Sequence, residues 1–153
     1  MAIDNPVTSE GVAAVSSLEE TGMLISRLLP LMRKAGCVSL EGPLGAGKTH
    51  VVKAVAAALG ITEPVSSPTF TLLHGYPGGD CPLHHSDWYR LESEGEVLGL
   101  GLEEYLGEGL MMIEWGDKFP HLLPPGTLRI RIEPSGPESG TVRTISWHAG
   151  RDA

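Results

Sequence analysis

Apolar positions recur at two periods along this chain, and the switching between them predicts an α/β order of elements. Ser17-Leu18-Glu19-Glu20 has the form of a capping box, with Ser17 as N-cap and Glu20 three residues on. The helix it opens carries Leu18, Met23, Leu24, Leu28, Leu31 and Met32 on one side and stops near Ala35-Gly36. Pro30 falls inside that pattern and predicts a kink or a break. Cys37–Glu41 reads as a short buried strand. His50 to Leu59 reads as a second helix, closed by Gly60.

Farther on, Val65 to Leu73 is extended and β-branched, Gly75 to Asp80 is a turn cluster, and Leu83 to Trp88 returns as a strand; together they predict an antiparallel hairpin. Glu92 to Leu106 is acidic and Leu-rich, interrupted by Gly95, Gly99 and Gly101, and suits two short helices. Leu110 to Trp115 is a buried strand carrying a carboxylate at its end. Leu122 to Gly126 is a turn, and Thr127 to Glu133 alternates as a half-exposed strand does. A loop from Pro134 to Gly140 and a final strand from Thr141 to Trp147 complete the pattern, while Met1 to about Val12 is either a frayed end or a short edge strand. The sum is one α/β domain over residues 1–153, with a mixed sheet that is parallel at its centre and antiparallel toward one side.

Between the first buried strand and the second helix lies Gly42-Pro43-Leu44-Gly45-Ala46-Gly47-Lys48-Thr49, which matches the phosphate-binding pattern G-x-x-x-x-G-K-[ST] at every fixed position. Strand, glycine loop and helix in this order turn backbone N–H groups and a helix N-terminus toward an anion. Lys48 is placed for the β- and γ-phosphates of a nucleoside triphosphate, and the Thr49 hydroxyl for Mg²⁺.

Composition narrows the reading. No apolar run approaches the ~20 residues of a membrane span, and no basic region followed by an apolar core opens the chain, so a cytoplasmic location is the expectation. The formal charge of −8 argues against direct, strong nucleic-acid binding. Cys37 falls in a core strand, which favours a reduced, structural thiol. The chain has one asparagine, Asn5, and no glutamine. That removes a guanine-reading N-K-x-D motif and a Ras-like water-orienting Gln. Glu114, at the end of an apolar strand, and Asp87, at the end of the hairpin strand, are the carboxylates available to the metal and the γ-phosphate. Each has a second reading, Glu114 as a polar residue at a strand end and Asp87 as the cap of the following turn. His84 and His85 are adjacent on a strand and face opposite ways, so they do not share a metal. The run Glu92, Glu94, Glu96, Glu103, Glu104 and Glu108 is a solvated helix face.

Four motifs in order resemble the TsaE (YjeE) family: Leu40 to Thr49, Ser-Pro-Thr-Phe at Ser67 to Phe70, His-Ser-Asp-Trp-Tyr-Arg at His85 to Arg90, and Ile-Glu-Trp at Ile113 to Trp115. The resemblance covers about Ser17 to Glu133. It implies a three-layer P-loop NTPase-type fold and a slow, Mg²⁺-dependent ATPase of bacterial tRNA threonylcarbamoyladenosine synthesis. Its implied partners are TsaD and TsaB, whose complex modifies A37 of tRNA, so that tRNA is met only through that complex.

By position, the resemblance implies phosphate contacts from Gly42, Pro43, Leu44, Gly45, Ala46, Gly47 and Lys48. It puts Thr49 and Glu114 at the metal, and makes Asp87 a metal- or water-associated carboxylate. Thr69 becomes a γ-phosphate sensor, Trp115 lies near the nucleotide, and Thr21 approaches the adenine. Tyr89 and Arg90 would hold the active-site hairpin. His50, Gly116 and the Gly140-Thr141-Val142-Arg143 order depart from the family pattern, leaving Arg143 the nearest candidate for a basic contact from the last loop. Two other readings of the motif are a small-molecule kinase, for which the chain is short of arginines between Thr49 and Arg129, and a nucleotide-sensing module without catalysis.

Overall fold

The computed structural model describes residues 8–43, 45–66, 72–134 and 142–150. In chain order the elements are β1 (Glu10–Val15), α1 (Leu18–Ala35), β2 (Cys37–Glu41), α2 (Lys48–Ala58), β3 (Leu73–Tyr76), β4 (Leu83–Asp87), α3 (Glu94–Leu98), β5 (Leu110–Glu114), β6 (Leu128–Pro134) and β7 (Arg143–Ala149). Short 3-10 turns occupy Leu102–Glu104, Gly116–Lys118 and Pro120–Leu122. The strands make one seven-stranded sheet in the order β1-β7-β6-β2-β5-β4-β3.

The centre of that sheet is parallel: β2 pairs with β5 and β6, and β4 pairs with β5. Both β2 and β5 are buried along their whole length, as near-continuous apolar strands covered on two faces must be. Antiparallel pairing closes both edges, not one side as the pattern predicted: β3 with β4, and β1 with β7 with β6. The N-terminal segment thus contributes an edge strand from Glu10 onward.

Alternation assigns the two faces. Leu110 and Met112 join a core with Leu24, Ile25 and Leu28 of α1 and Val51, Val52 and Val55 of α2. Met111 and Ile113, pointing the other way, join Trp88, Leu91 and Val97 under α3 and the 3-10 turns.

Several expectations shift. Helix α1 is capped as predicted, with the Ser17 hydroxyl accepting from Glu20 N–H and Gly36 in the left-handed region at φ 77°. It runs unbroken through Pro30, which lies on the exposed face. The carbonyl deprived of its donor there belongs to exposed Ser26, where water substitutes at little cost. Leu18 and Met23 are 68% and 64% exposed, while Thr21 and Ile25 are buried in their stead. The buried stripe follows Thr21, Leu24, Ile25, Leu28 and Met32, and Met23 falls almost opposite it.

Helix α2 starts at Lys48, two residues before the predicted His50, and ends in a Schellman pair, Gly60 N–H to Ala57 O and Ile61 N–H to Ala56 O. The hairpin's first strand begins only at Leu73 and includes Gly75 and Tyr76, which the pattern gave to the turn. Tyr76 decides this, since its ring is 1% exposed and requires a place in the sheet. Val65, Ser66 and Leu72 are not in a strand, and residues 67–71 of the predicted strand lie outside the described residues. The last strand is displaced in the same way, beginning at Arg143 and running to Ala149. Among the described residues no helix is long and apolar enough to cross a membrane.

Candidate functional site

Strand β2 delivers the chain into the glycine loop at the carboxyl ends of the parallel strands. Gly42 has φ 137°, and a Cβ on it would lie 2.1 Å from the carbonyl oxygen of Ile132 in β6. Only glycine lets the loop pass that close to the neighbouring strand. Gly45 and Gly47 also have positive φ, at 77° and 105°, and Leu44 lies outside the described residues. Where α1 and α3 are capped by serine side chains, α2 opens on Gly47 with no side-chain cap. Its first-turn N–H groups have no side-chain acceptor of that kind.

Lys48, buried to 5% exposure, donates from Nζ to the carbonyls of Gly42 (2.8 Å) and Pro43 (2.9 Å). The same ammonium lies 4.1 Å from the Trp115 ring centroid. Burial pushes its pKa below the usual lysine value, while the carboxylates of Glu114, Asp117 and Asp87 pull it back up.

Glu114 ends β5 at 4% exposure, on the same face as Leu110 and Met112 and therefore on the side of α2. The Thr49 hydroxyl donates to its Oε2 at 3.1 Å, and His85 Nε2 stands 2.6 Å from the same oxygen. Asp87 is paired with Glu114 in the β4–β5 register, so two carboxylates sit at adjacent strand ends. The Asp87 Oδ1 accepts the Tyr89 N–H at 2.9 Å, which realises its turn-capping reading; it also lines a cleft of about 340 Å³ with Lys48, Thr49, Glu114 and Trp115. The turn-capping reading of Asp87 therefore holds, and its carboxylate also stands in the cleft.

Trp115 leaves the sheet at φ 64°, a left-handed conformation that a bulky side chain adopts only when its surroundings demand it. Its N–H is fixed to Leu40 O at 2.9 Å and its ring lies against Tyr89, centroids 4.9 Å apart. Tyr89 is held in turn through its carbonyl, which accepts from Lys118 Nζ at 2.6 Å. Gly116, next in the chain, has no room for a side chain, since a Cβ would meet buried Ser39 Oγ at 2.2 Å.

On the other side of the loop a cavity of about 510 Å³ opens between α1, α2, β6 and β7. Val15, Leu18, Val51, Ile132 and Ile145 give it apolar walls, with Thr21 and Arg143 at its polar edge. Arg143 Nε donates to Ala46 O at 3.2 Å, so the candidate basic residue of the last loop does reach the glycine loop. The cavity and the carboxylate cleft share Gly45, Gly47 and exposed His50, and so form one groove across the loop. The structure brings together Thr21, Gly45, Ala46, Gly47, Lys48, Thr49, Asp87, Glu114 and Trp115 along this groove; Gly42 and Pro43 line a neighbouring cavity that shares Trp115. Thr69 lies outside the described residues. Ser66, which leads toward it, is anchored by its N–H to the buried Tyr76 hydroxyl at 3.2 Å.

Two residues had more to do than the pattern gave them. His84 and His85 do face opposite ways, His84 toward the Tyr105 ring and the Glu108 carbonyl. His85, set aside as a zinc ligand, is instead the hydrogen-bond partner of Glu114. Period-two alternation puts His85 and Asp87 on one face, a signal that was present but needed the β4–β5 register to be read. Among the described residues no group of three or more His, Cys, Asp or Glu side chains gathers as a metal cluster. Oxygen donors at Thr49, Glu114 and Asp87 could hold a small divalent cation together with ligand oxygens.

The family model described as "Threonylcarbamoyl adenosine biosynthesis protein TsaE" matches residues 15–144. The tRNA threonylcarbamoyladenosine biosynthesis protein TsaE of Bacillus subtilis (strain 168) is 46% identical over 120 residues, covering 77% of this chain and 74% of that protein. Its namesake in Mycobacterium leprae (strain TN) is 34% identical over 151 residues, 93% of this chain and 94% of that protein. The crystal structure of Bacillus subtilis YdiB aligns with a TM-score of 0.72 at 31% identity, covering 95% of this chain and 89% of that one.

Proposed function

The chain belongs to the TsaE family, involved in tRNA threonylcarbamoyladenosine biosynthesis, and on that premise we propose that it is a cytoplasmic, Mg²⁺-dependent P-loop ATPase serving the TsaD–TsaB complex. The proposed unit is the whole chain as one three-layer domain. The observation that carries this reading is the meeting of Lys48, Thr49, Glu114 and Asp87 in one cleft at the N-terminus of α2.

The residues present fit ATP and Mg²⁺. The Gly42 passage admits no Cβ, and the loop beyond it runs through two further positive-φ glycines into an α2 terminus without a side-chain cap. That is a cradle for phosphate oxygens. Hard oxygens from Thr49, Glu114 and Asp87 suit Mg²⁺, which takes one or two carboxylates and completes its shell with phosphates and water. When bound, Mg²⁺ supplies charge neutralisation at the β–γ bridge.

This chain's own part in the reaction is positional. Lys48, already aimed along the loop by Gly42 and Pro43, exchanges carbonyl oxygens for phosphate oxygens. Thr49 and Glu114 hold the cation side, and Leu44 and Thr69 keep the loop and sensor roles implied by the family pattern. Trp115 walls the cleft, and the apolar cavity beside Thr21 and Arg143 takes the base. Asp87 orients the attacking water, a task that no glutamine can perform in this chain. With only a carboxylate for that task, turnover of the isolated chain falls well below the ~1–100 s⁻¹ of kinases, and the partner complex raises it. The test is single-turnover ATP hydrolysis with and without the TsaD–TsaB complex: slow hydrolysis, stimulated on addition, is the expected result. Fast steady-state hydrolysis by the chain alone, or turnover that requires a nucleoside acceptor, would overturn it.

A further inference from the structure

We propose that His85 is a positioning residue that fixes which oxygen of Glu114 faces the cation; the inference rests on the nucleotide-site reading above. His85 is fully buried in β4, and its Nε2 stands 2.6 Å from Glu114 Oε2. Its other ring nitrogen, Nδ1, is buried with no hydrogen-bond partner among the described residues. A hydrogen on Nδ1 would be an orphaned buried donor, so the ring hydrogen belongs on Nε2 and points at the carboxylate. An imidazole kept for packing alone would be a poor choice here, because an apolar side chain of similar volume would leave no nitrogen unsatisfied. The bond to Glu114 is the interaction that offsets that cost.

The two oxygens of Glu114 are treated differently. Oε2 receives both His85 and the closer approach of the Thr49 hydroxyl, at 3.1 Å, while among the described residues Oε1 has only Thr49 at 3.4 Å. The last torsion of a glutamate is intrinsically broad. Anchoring Oε2 from the β4 side locks that torsion and turns Oε1 toward the cleft that Thr49 and Asp87 share. Residues that orient a metal's ligands commonly contribute about 10–100-fold to metal affinity.

The experiment is a calorimetric ATP titration of the full-length chain across Mg²⁺ concentrations and in chelator, for wild type, His85→Leu and His85→Gln. Leucine keeps the volume without a donor; glutamine restores an N–H near the Nε2 position. His85→Leu is expected to need about 10-fold more Mg²⁺ for half-maximal ATP affinity, with its affinity in chelator unchanged, and His85→Gln to return toward wild type. With Mn²⁺ in place of Mg²⁺, the electron paramagnetic resonance spectrum of the nucleotide complex should change in His85→Leu and recover in His85→Gln. Should His85→Leu fail to fold, His85→Asn, polar but too short to reach Oε2, takes its place with the same expectation. Wild-type Mg²⁺ dependence in the donor-less variant, or equal loss in both variants, overturns the role of His85 alone. No nucleotide binding by the wild-type chain overturns the site reading and His85 with it.

Discussion

Glu41 and Glu114 end the two central parallel strands, one residue apart in register, at 6% and 4% exposure, yet the fold treats them differently. Glu41 Oε2 accepts from Arg129 Nε at 2.6 Å and from Ser39 Oγ at 3.0 Å. Its charge is balanced by a cation belonging to the fold. Glu114 is held by a hydroxyl and an imidazole, and Lys48, which feels its charge, spends its hydrogen bonds on loop carbonyls. Burying a carboxylate without a paired cation is costly. Among the described residues Glu41 has a fixed cation and Glu114 has none of that kind, so Glu41 reads as structural, and on the proposed function Glu114 is the one that would meet a ligand's charge.

The largest expected effect tests the ligand side. Asp87→Ala should still bind ATP, because the loop and Lys48 remain, but its single-turnover rate should fall ~10²–10³-fold. Glu114→Ala should lower the rate and weaken the Mg²⁺ dependence of binding as well. Neither should unfold the domain. Wild-type hydrolysis in Asp87→Ala would leave that residue as the cap of Tyr89 N–H and nothing more.

On the structural side, Glu41→Gln removes the partner of an arginine whose side chain is 32% exposed. Breaking a fully buried pair costs ~3–5 kcal/mol, so partial exposure reduces the expectation to about 2–3 kcal/mol. Urea unfolding measures it, and ATP affinity should be nearly unchanged. If Glu41→Gln instead lost nucleotide binding at wild-type stability, the contrast between the two glutamates would be reversed.

Smaller again is Lys48→Ala. It removes a charge-assisted hydrogen-bond donor, worth about 1.5–3 kcal/mol where its partner is charged, from a position whose present partners are neutral carbonyls. Mg-ATP affinity should drop by about that amount in a direct titration, and the melting temperature of the protein alone should move little. Unchanged affinity would sink the phosphate assignment of the loop.

How much of this was legible in the sequence follows from chain distance. Gly42 to Thr49 is contiguous and its strand and helix flank it directly, so its place between β2 and α2 could be read, although α2 begins at Lys48 and not at His50. Glu114 could be placed at a strand end because an apolar run that stops at a carboxylate is a local signal, and Asp87 because it closes the returning strand of the hairpin pattern. The His85–Glu114 bond spans 29 residues and depends on β4 lying beside β5 in a given register. The Arg143 contact to Ala46 spans 97 residues. No local period carries either. Inside single elements the errors came from competing local rules. Gly75 signalled a turn, but burial of the next residue, Tyr76, drew it into β3; Met23 fitted a plausible apolar face that the packing of Thr21 and Ile25 displaced.

The smallest effect at neutral pH belongs to Cys37, which shares a face of β2 with Ser39 and Glu41. Burial pushes its thiol up from 9.0 to about 11, with the Thr127 hydroxyl pulling weakly the other way. Below about pH 9 both the folded and the unfolded chain carry the thiol proton, so the residue adds no pH dependence. Between about pH 9 and 11 the unfolded chain gives up that proton and the folded chain keeps it, so stability falls as pH rises, by about 2–3 kcal/mol when complete. Urea unfolding of wild type and Cys37→Ala should therefore differ near neutral pH by the small packing loss of the alanine variant. At about pH 11 the variant should become the more stable of the two. A faster check is thiol labelling near pH 8, where half-buried Cys81 should react and buried Cys37 should not. A Cys37 that labels as fast as Cys81 in the folded chain would show that the amino-terminal end of β2 opens to solvent, and the alkaline loss of stability expected from its burial would then be absent.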